Sequence, residues 1–172
     1  MAESRGILTE RIRIAVIGVM TVVVLALVNV EIAGKERIVR DGAIVVLQLA
    51  PVDPRSLLQG DYMALRYTMS DDVAQAADAE GVRDGAIVIA LDKNRVAQFI
   101  AIHDGSVPAA GQHLLQFRKR GESVRLASDA FFFEEGQGQT YQRARFGELR
   151  VADDGSAVLV GLRDEQHGRM GM

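Results

Sequence analysis

The 172 residues allow one domain of ordinary size with room for an appended segment, and a content of 48% hydrophobic and 25% charged residues excludes a disordered chain. There is no cysteine, which excludes a disulfide scaffold, thiol catalysis and thiolate metal sites. Twenty Lys and Arg against 23 Asp and Glu leave a net charge of −3 with no basic tail or stripe, so nucleic acid is not an expected partner.

Residues 1–13 read as a short tail. Residues 14–30, Ile14 to Val30, carry no formal charge and are flanked by Arg11 and Arg13 before and Glu31, Lys35, Glu36 and Arg37 after. As a helix this run covers about 25 Å, and Ile12 and Ile32 bring it to the roughly 30 Å of a bilayer core. The β-branched run Val22–Val24 lowers helicity in water, but in lipid the cost of unpaired backbone groups outweighs it. A buried core helix would show a polar stripe, and a cleaved signal peptide a shorter apolar run with a small-x-small site after it. The run therefore predicts an uncleaved single-pass anchor. Basic residues balance across it, but a short tail ahead of a folded domain usually leaves that domain outside the cytoplasm. The expected location is the inner (cytoplasmic) membrane of a bacterium, with an extracytoplasmic domain.

Residues 31–172 form that domain. Short apolar runs between turn signals predict strands at Ala43–Leu49, Tyr62–Tyr67, Ala86–Leu91, Arg95–Ile102, His113–Arg118, Ser123–Ala127, Ala130–Phe133, Glu148–Ala152 and Ala157–Leu162. One helix is predicted over Asp71–Glu80, with Ser70 as its N-cap and Asp71 and Asp72 at the positive end of its dipole. A second, short one is predicted over Thr140–Arg145. The fold class is mainly β: a barrel- or sandwich-like domain with one or two short helices behind one transmembrane helix. Arg40–Val45 recurs residue for residue as Arg83–Val88. The phrase reads as a turn feeding a buried strand, with glycine supplying a positive φ. It is either chance reuse of a good phrase or the trace of two facing β units.

The most specific stretch is Gly60-Asp61-Tyr62-Met63-Ala64-Leu65-Arg66-Tyr67. In a strand, Tyr62, Ala64 and Arg66 share one face, and Asp61, Met63, Leu65 and Tyr67 share the other. The pattern Gly-Asp-Tyr-x-x-Leu-x-Tyr resembles the bacterial GDYXXLXY proteins, as does the later chain from Phe131-Phe132-Phe133 through Tyr141, Ala144–Val151 and Val160–Asp164. The resemblance implies a membrane-anchored protein working beside a multi-span membrane protein, and it says little about mechanism. Physically, Asp61 could pair with Arg145 or Arg66 while the two tyrosines pack and hydrogen-bond at their tips. All of this also fits plain strand-turn architecture.

A second, partial resemblance is to the signal peptidase fold. Ser56, Gly60-Asp61, Lys93-Asn94-Arg95-Val96, Asp104-Gly105, Glu135-Gly136 and Arg145-Phe146-Gly147 follow that family's order of motifs. The chemistry it implies needs a serine beside a lysine kept neutral by burial, and Lys93 is nearly the only base available among Lys35, Lys93 and Lys119. The sequence departs from that family: Val52 stands where the nucleophile belongs, and Asn94 separates Lys93 from Arg95.

Other constellations are thin. His103, His113 and His167 lack metal-pair spacing, the Glu134-Glu135 pair with Asp129 reads as a solvated turn, and no metal or other cofactor is expected. Phe131-Phe132-Phe133 must point to both faces of its strand, so at least one ring faces a second layer, lipid or a partner. The sequence therefore points to a non-catalytic, membrane-tethered accessory protein. Its binding residues would be Asp61, Tyr62, Arg66, Tyr67, Phe132 and Arg145, and its partner another, multi-span membrane protein. The alternatives are a serine hydrolase using Ser56 and Lys93, and an extracytoplasmic small-ligand sensor lined by Asp61, Tyr62, Tyr67 and Arg145.

Overall fold

The computed structural model describes residues 2–50 and 62–171, so Ser56, Gly60 and Asp61 lie outside the described residues. Two compact units divide after Arg37. The first is most of helix α1 (Ala2–Asp41), which continues well beyond the apolar run that ends at Val30. Its stretch Val16–Asp41 is long and apolar enough to cross a membrane, and none of it is buried. That is the distribution expected of a helix whose solvent is hydrocarbon rather than protein.

The second unit, residues 38–172, carries nine strands and two short helices among the described residues. Strands β1 (Ala43–Gln48), β8 (Phe146–Val151) and β9 (Ala157–Arg163) form one sheet in the order β1-β8-β9. Strands β3 (Asp84–Leu91), β4 (Ala97–Ile102), β5 (Gln112–Arg120) and β6 (Ser123–Arg125) form a second in the order β4-β3-β5-β6. Strands β2 (Tyr62–Ala64) and β7 (Ala130–Phe132) pair as a separate two-stranded ribbon. All named pairings are antiparallel. The larger sheets join at two places. On one side Val46 N–H donates to Arg95 O (2.9 Å), and on the other Gln116 N–H donates to Gly155 O (2.8 Å). The result is a partly closed barrel around a single main core.

That core is assembled from the inward residues of both sheets: Val45 and Leu47 on β1, Ile87 and Ile89 on β3, Leu115 and Phe117 on β5, and Leu149 and Val151 on β8. Helix α2 (Ser70–Glu80) closes it with Val73 and Ala77. Each fully buried aliphatic side chain of this kind contributes about 1.5–3 kcal/mol relative to exposure. A second, smaller core under the ribbon holds Met63, Tyr141, Ala144 and Leu162.

Every predicted strand occurs, with ends shifted by a residue or two except at Tyr62–Tyr67. There the ribbon strand stops at Ala64. The chain then changes partner, with Leu49 and Tyr67 forming a lone bridge at the end of β1. Two local expectations need correction. Ser70 does not cap α2: the residue ahead of the helix is Met69, without a side-chain cap bond, and Ser70 is buried inside the first turn. The second helix, α3, spans Gly138–Tyr141, earlier than Thr140–Arg145.

The repeated Arg-Asp-Gly-Ala-Ile-Val phrase is not a structural repeat. Neither Gly42 nor Gly85 has positive φ. Gly42 is instead required by close approach, because a Cβ there would sit 2.5 Å from Ile38 O and 3.0 Å from Val151 N. The two strands also bury opposite phases, Val45 in the first copy but Ile87 in the second. Strand β1 lies at a sheet edge and β3 in a sheet interior. A one-residue change of phase turns every side chain to the other face, so identical phrases here serve different faces.

Candidate functional site

The described part of the motif strand splits by face. Met63 and Tyr67 are buried, Leu65 is half-buried against both cores, and Ala64 and Arg66 are exposed. Tyr67 is 3% exposed and its hydroxyl donates to Ser128 O at 3.0 Å, fastening the strand to the loop before β7. Burial, aided by the nearby Asp129 carboxylate, holds that hydroxyl protonated far above its ordinary value. The ring lies over Gly147 of β8, where a Cβ would come within 3.3 Å of Tyr67 Cε1 and 3.2 Å of Leu159 Cδ1. The leucine and second tyrosine of the motif are therefore packing residues, and its first tyrosine belongs to the other face.

On that other face the ribbon brings the two aromatic segments together. Tyr62 is opposite Phe132, Met63 opposite Phe131 and Ala64 opposite Ala130. The Tyr62 and Phe132 rings lie 5.7 Å apart, within the range of a favourable tilted pair. Phe131 and Phe133 turn inward onto Tyr141, at 5.1 and 5.0 Å. Phe132 turns outward and is 76% exposed. Next to the aromatic pair the outer face of the ribbon carries only the small side chains of Ala64 and Ala130, and past the end of β2 the chain continues to Arg66.

Arg66 donates to Asp71 at 2.7 Å, an exposed pair at the start of α2. Arg66 and Tyr67 border an open cleft of about 720 Å³, lined also by Arg120, Glu122, Arg125 and Asp129. Arg145 lies on the other side of Leu49, which bridges Tyr67 and donates its N–H to Arg145 O at 2.8 Å. Its guanidinium donates to Ala144 O at 2.9 Å and borders a different cleft, of about 530 Å³, with Arg143, Arg169 and Asp164. The structure thus brings Tyr62 and Phe132 together, sets Arg66 and Tyr67 at one cleft, and places the Arg145 guanidinium at another.

Lys93 occupies the exposed turn between β3 and β4, so the burial on which serine-lysine chemistry depends is missing at this residue. Among the described residues no group of three or more His, Asp or Glu side chains could hold a metal ion.

The best-defined charged constellation is one that the sequence reading passed over. Glu148 on β8 is 1% exposed, and its carboxylate accepts from Arg163 Nε at 2.7 Å and from Arg169 through both of its oxygens. The two guanidiniums hold this carboxyl below its usual range, the bond from Arg169 being the largest influence. Gly147, Glu148 and Leu149 are all buried because this part of the sheet is covered on both faces: β8 keeps unbroken register with β1, so Gly147 and Leu149 share the face of Leu47 and Val45, while Glu148 is on the opposite face under Arg163 and Arg169. The bulge in the β8–β9 pair falls at Val160 of β9. Arg169 reaches it because the chain folds back along β9, bridging Arg163 to Arg169. The available sequence signal was a glutamate within a mostly apolar strand, with an arginine on the next hairpin strand. Beside this cluster the His167 ring packs tilted against Phe146 with centroids 4.5 Å apart, tying the turn after β9 to β8.

Compared with known protein families, residues 24–162 match the model of the GDYXXLXY protein. No curated protein and no solved structure matches the chain.

Proposed function

The chain belongs to the GDYXXLXY family, and we propose that it is a non-catalytic accessory protein, tethered by α1 in the bacterial inner membrane, that binds a multi-span membrane protein through the outer face of the β2–β7 ribbon. The observation that carries this reading is the Tyr62–Phe132 pair. A phenylalanine 76% exposed and held against a tyrosine on a short ribbon is the kind of aromatic anchor on which protein interfaces concentrate their binding energy. Single exposed apolar residues are common on soluble proteins, so the argument rests on the pair and its Ala64–Ala130 margin rather than on exposure alone.

The test is affinity purification of the full chain from mild detergent, with mass spectrometry, comparing the wild type with Phe132→Ala and Tyr62→Ala. A multi-span membrane protein recovered near one-to-one with the wild type, and lost with either folded variant, is the expected result. Recovery of the chain alone from all three would overturn the proposal. Tyr67 is the wrong residue for this purpose, because its ring and hydroxyl are committed to the core.

A further inference from the structure

The span residues of α1 make no protein contact that buries them, yet the apolar run contains two hydrogen-bonding side chains, Thr21 and Asn29. They are eight residues apart and so lie on one i±4 ridge, Ile17-Thr21-Leu25-Asn29-Ala33. Each is bonded along that same ridge: Thr21 Oγ1 donates to Ile17 O at 2.9 Å, and Asn29 Nδ2 to Leu25 O at 2.7 Å. A carboxamide has two N–H donors and an oxygen acceptor. One N–H of Asn29 is thereby satisfied, and neither the other N–H nor Oδ1 has a partner among the described residues. Thr21 sits next to the midpoint of the run at residue 22, and Asn29 about 10 Å from that midpoint, inside a half-bilayer of about 15 Å. Water is scarce at that depth, so the unpaired amide groups are costly unless another helix supplies partners.

We propose that this ridge is a self-association surface on which two copies of the chain pair in parallel, Asn29 against Asn29. The inference rests on the membrane-spanning reading of α1 and is independent of the Tyr62–Phe132 surface. Copies of a single-pass protein insert with one topology, so the same residue of each copy lies at the same depth. A carboxamide is complementary to itself: the free N–H of each Asn29 donates to Oδ1 of the other, and both unsatisfied groups are resolved together. The occupant of this face must therefore present a donor and an acceptor at the depth of Asn29, with room for close approach at the depth of Thr21. A second copy meets both requirements with no other component. The next ridge allows the approach, because Gly18 and Ala26 carry little or no side chain and nothing lies within 4 Å of the Cβ position of Gly18.

The lack of cysteine makes the test direct. Single-cysteine variants of the full chain are oxidised in native membranes: Thr21→Cys and Leu25→Cys on the ridge, and Val19→Cys, Val23→Cys and Leu27→Cys on the opposite face. Disulfide-linked homodimers are expected at residues 21 and 25 and not at 19, 23 and 27. Adding Asn29→Leu to Leu25→Cys should lower the dimer fraction about fivefold at limiting expression. Equal cross-linking on all faces, an unchanged yield with Asn29→Leu, or cross-links to a different protein instead of a second copy would each overturn the proposal. Extraction of the wild type with alkaline carbonate separates the premises. A chain that stays in the membrane but does not cross-link refutes the pairing alone, whereas a chain that is washed out refutes the span and the pairing with it.

Discussion

Replacing Glu148 by glutamine keeps the side-chain volume but removes the one anion shared by Arg163 and Arg169. The Arg163 side chain is 19% exposed and that of Arg169 is 45% exposed, so Arg163 bears most of the loss. Breaking a buried pair by deleting one partner costs about 3–5 kcal/mol, because the other charge stays desolvated and unpaired. We therefore expect Glu148→Gln to destabilise the domain by about 3–5 kcal/mol, and Arg163→Ala and Arg169→Ala each by less, because the remaining guanidinium still pairs the carboxylate. For a folded unit of this size the first corresponds to a fall in Tm of roughly 10–20 °C. The chain has three tyrosines, all in the domain, and no tryptophan, so tyrosine fluorescence of the detergent-solubilised full chain reports domain unfolding without a signal from α1. The pH dependence has a definite sign. The folded carboxyl of Glu148 titrates below its unfolded value of about 4.3, so its contribution is complete above that value and is lost as pH falls toward the folded one. The gap between wild type and Glu148→Gln should narrow on acidification through that window. A Glu148→Gln midpoint matching wild type at neutral pH, or either arginine variant costing more than Glu148→Gln, would refute this account.

Four further outcomes follow from the same geometry. Tyr67→Phe removes the bond to Ser128 O and should cost about 1 kcal/mol in a denaturant melt, since a part-buried carbonyl loses its donor. Gly147→Val drives side-chain atoms into Tyr67 and Leu159 and should cost about 1–3 kcal/mol or more, read as a lower Tm. Phe132→Ala should leave stability within about 0.5 kcal/mol of wild type, which separates its effect on partner recovery from any effect on folding. Lys93→Ala, in its exposed turn, should be equally silent in the same melt.

The sequence shows where strands lie but not which strands meet. Asp-Gly and Gly punctuation delimits the strand runs well because turns are local, and the alternation in Tyr62–Tyr67 correctly places Met63, Leu65 and Tyr67 inward. Pairing of β1 with β8, and the change of partner after Ala64, depend on contacts between distant segments and leave no periodic trace. The same limit applies to the site. The outward course of at least one ring among Phe131–Phe133 is a consequence of period two and was legible. The coming together of Phe132 and Tyr62 was not. Glu148 was missed because alternation puts it on the face away from the main core, and only the return of the chain from Arg163 to Arg169 covers that face.

Strand β1 has a consequence for how the chain reaches this state. Its residues Val45, Val46 and Leu47 are fully buried, but its partner β8 comes roughly a hundred residues later, a separation that makes folding slow in general. During synthesis the β8 side of β1 therefore emerges long before its partner, whereas the far end meets Arg66–Thr68 within about twenty residues. The β8 side stays exposed through the making of β3, β4 and β5, and an uncovered strand of this composition is prone to pair with other chains. Newly made protein is thus most vulnerable before β8 arrives, and lowering the temperature or slowing expression should raise the yield of folded chain more than any change to its surface.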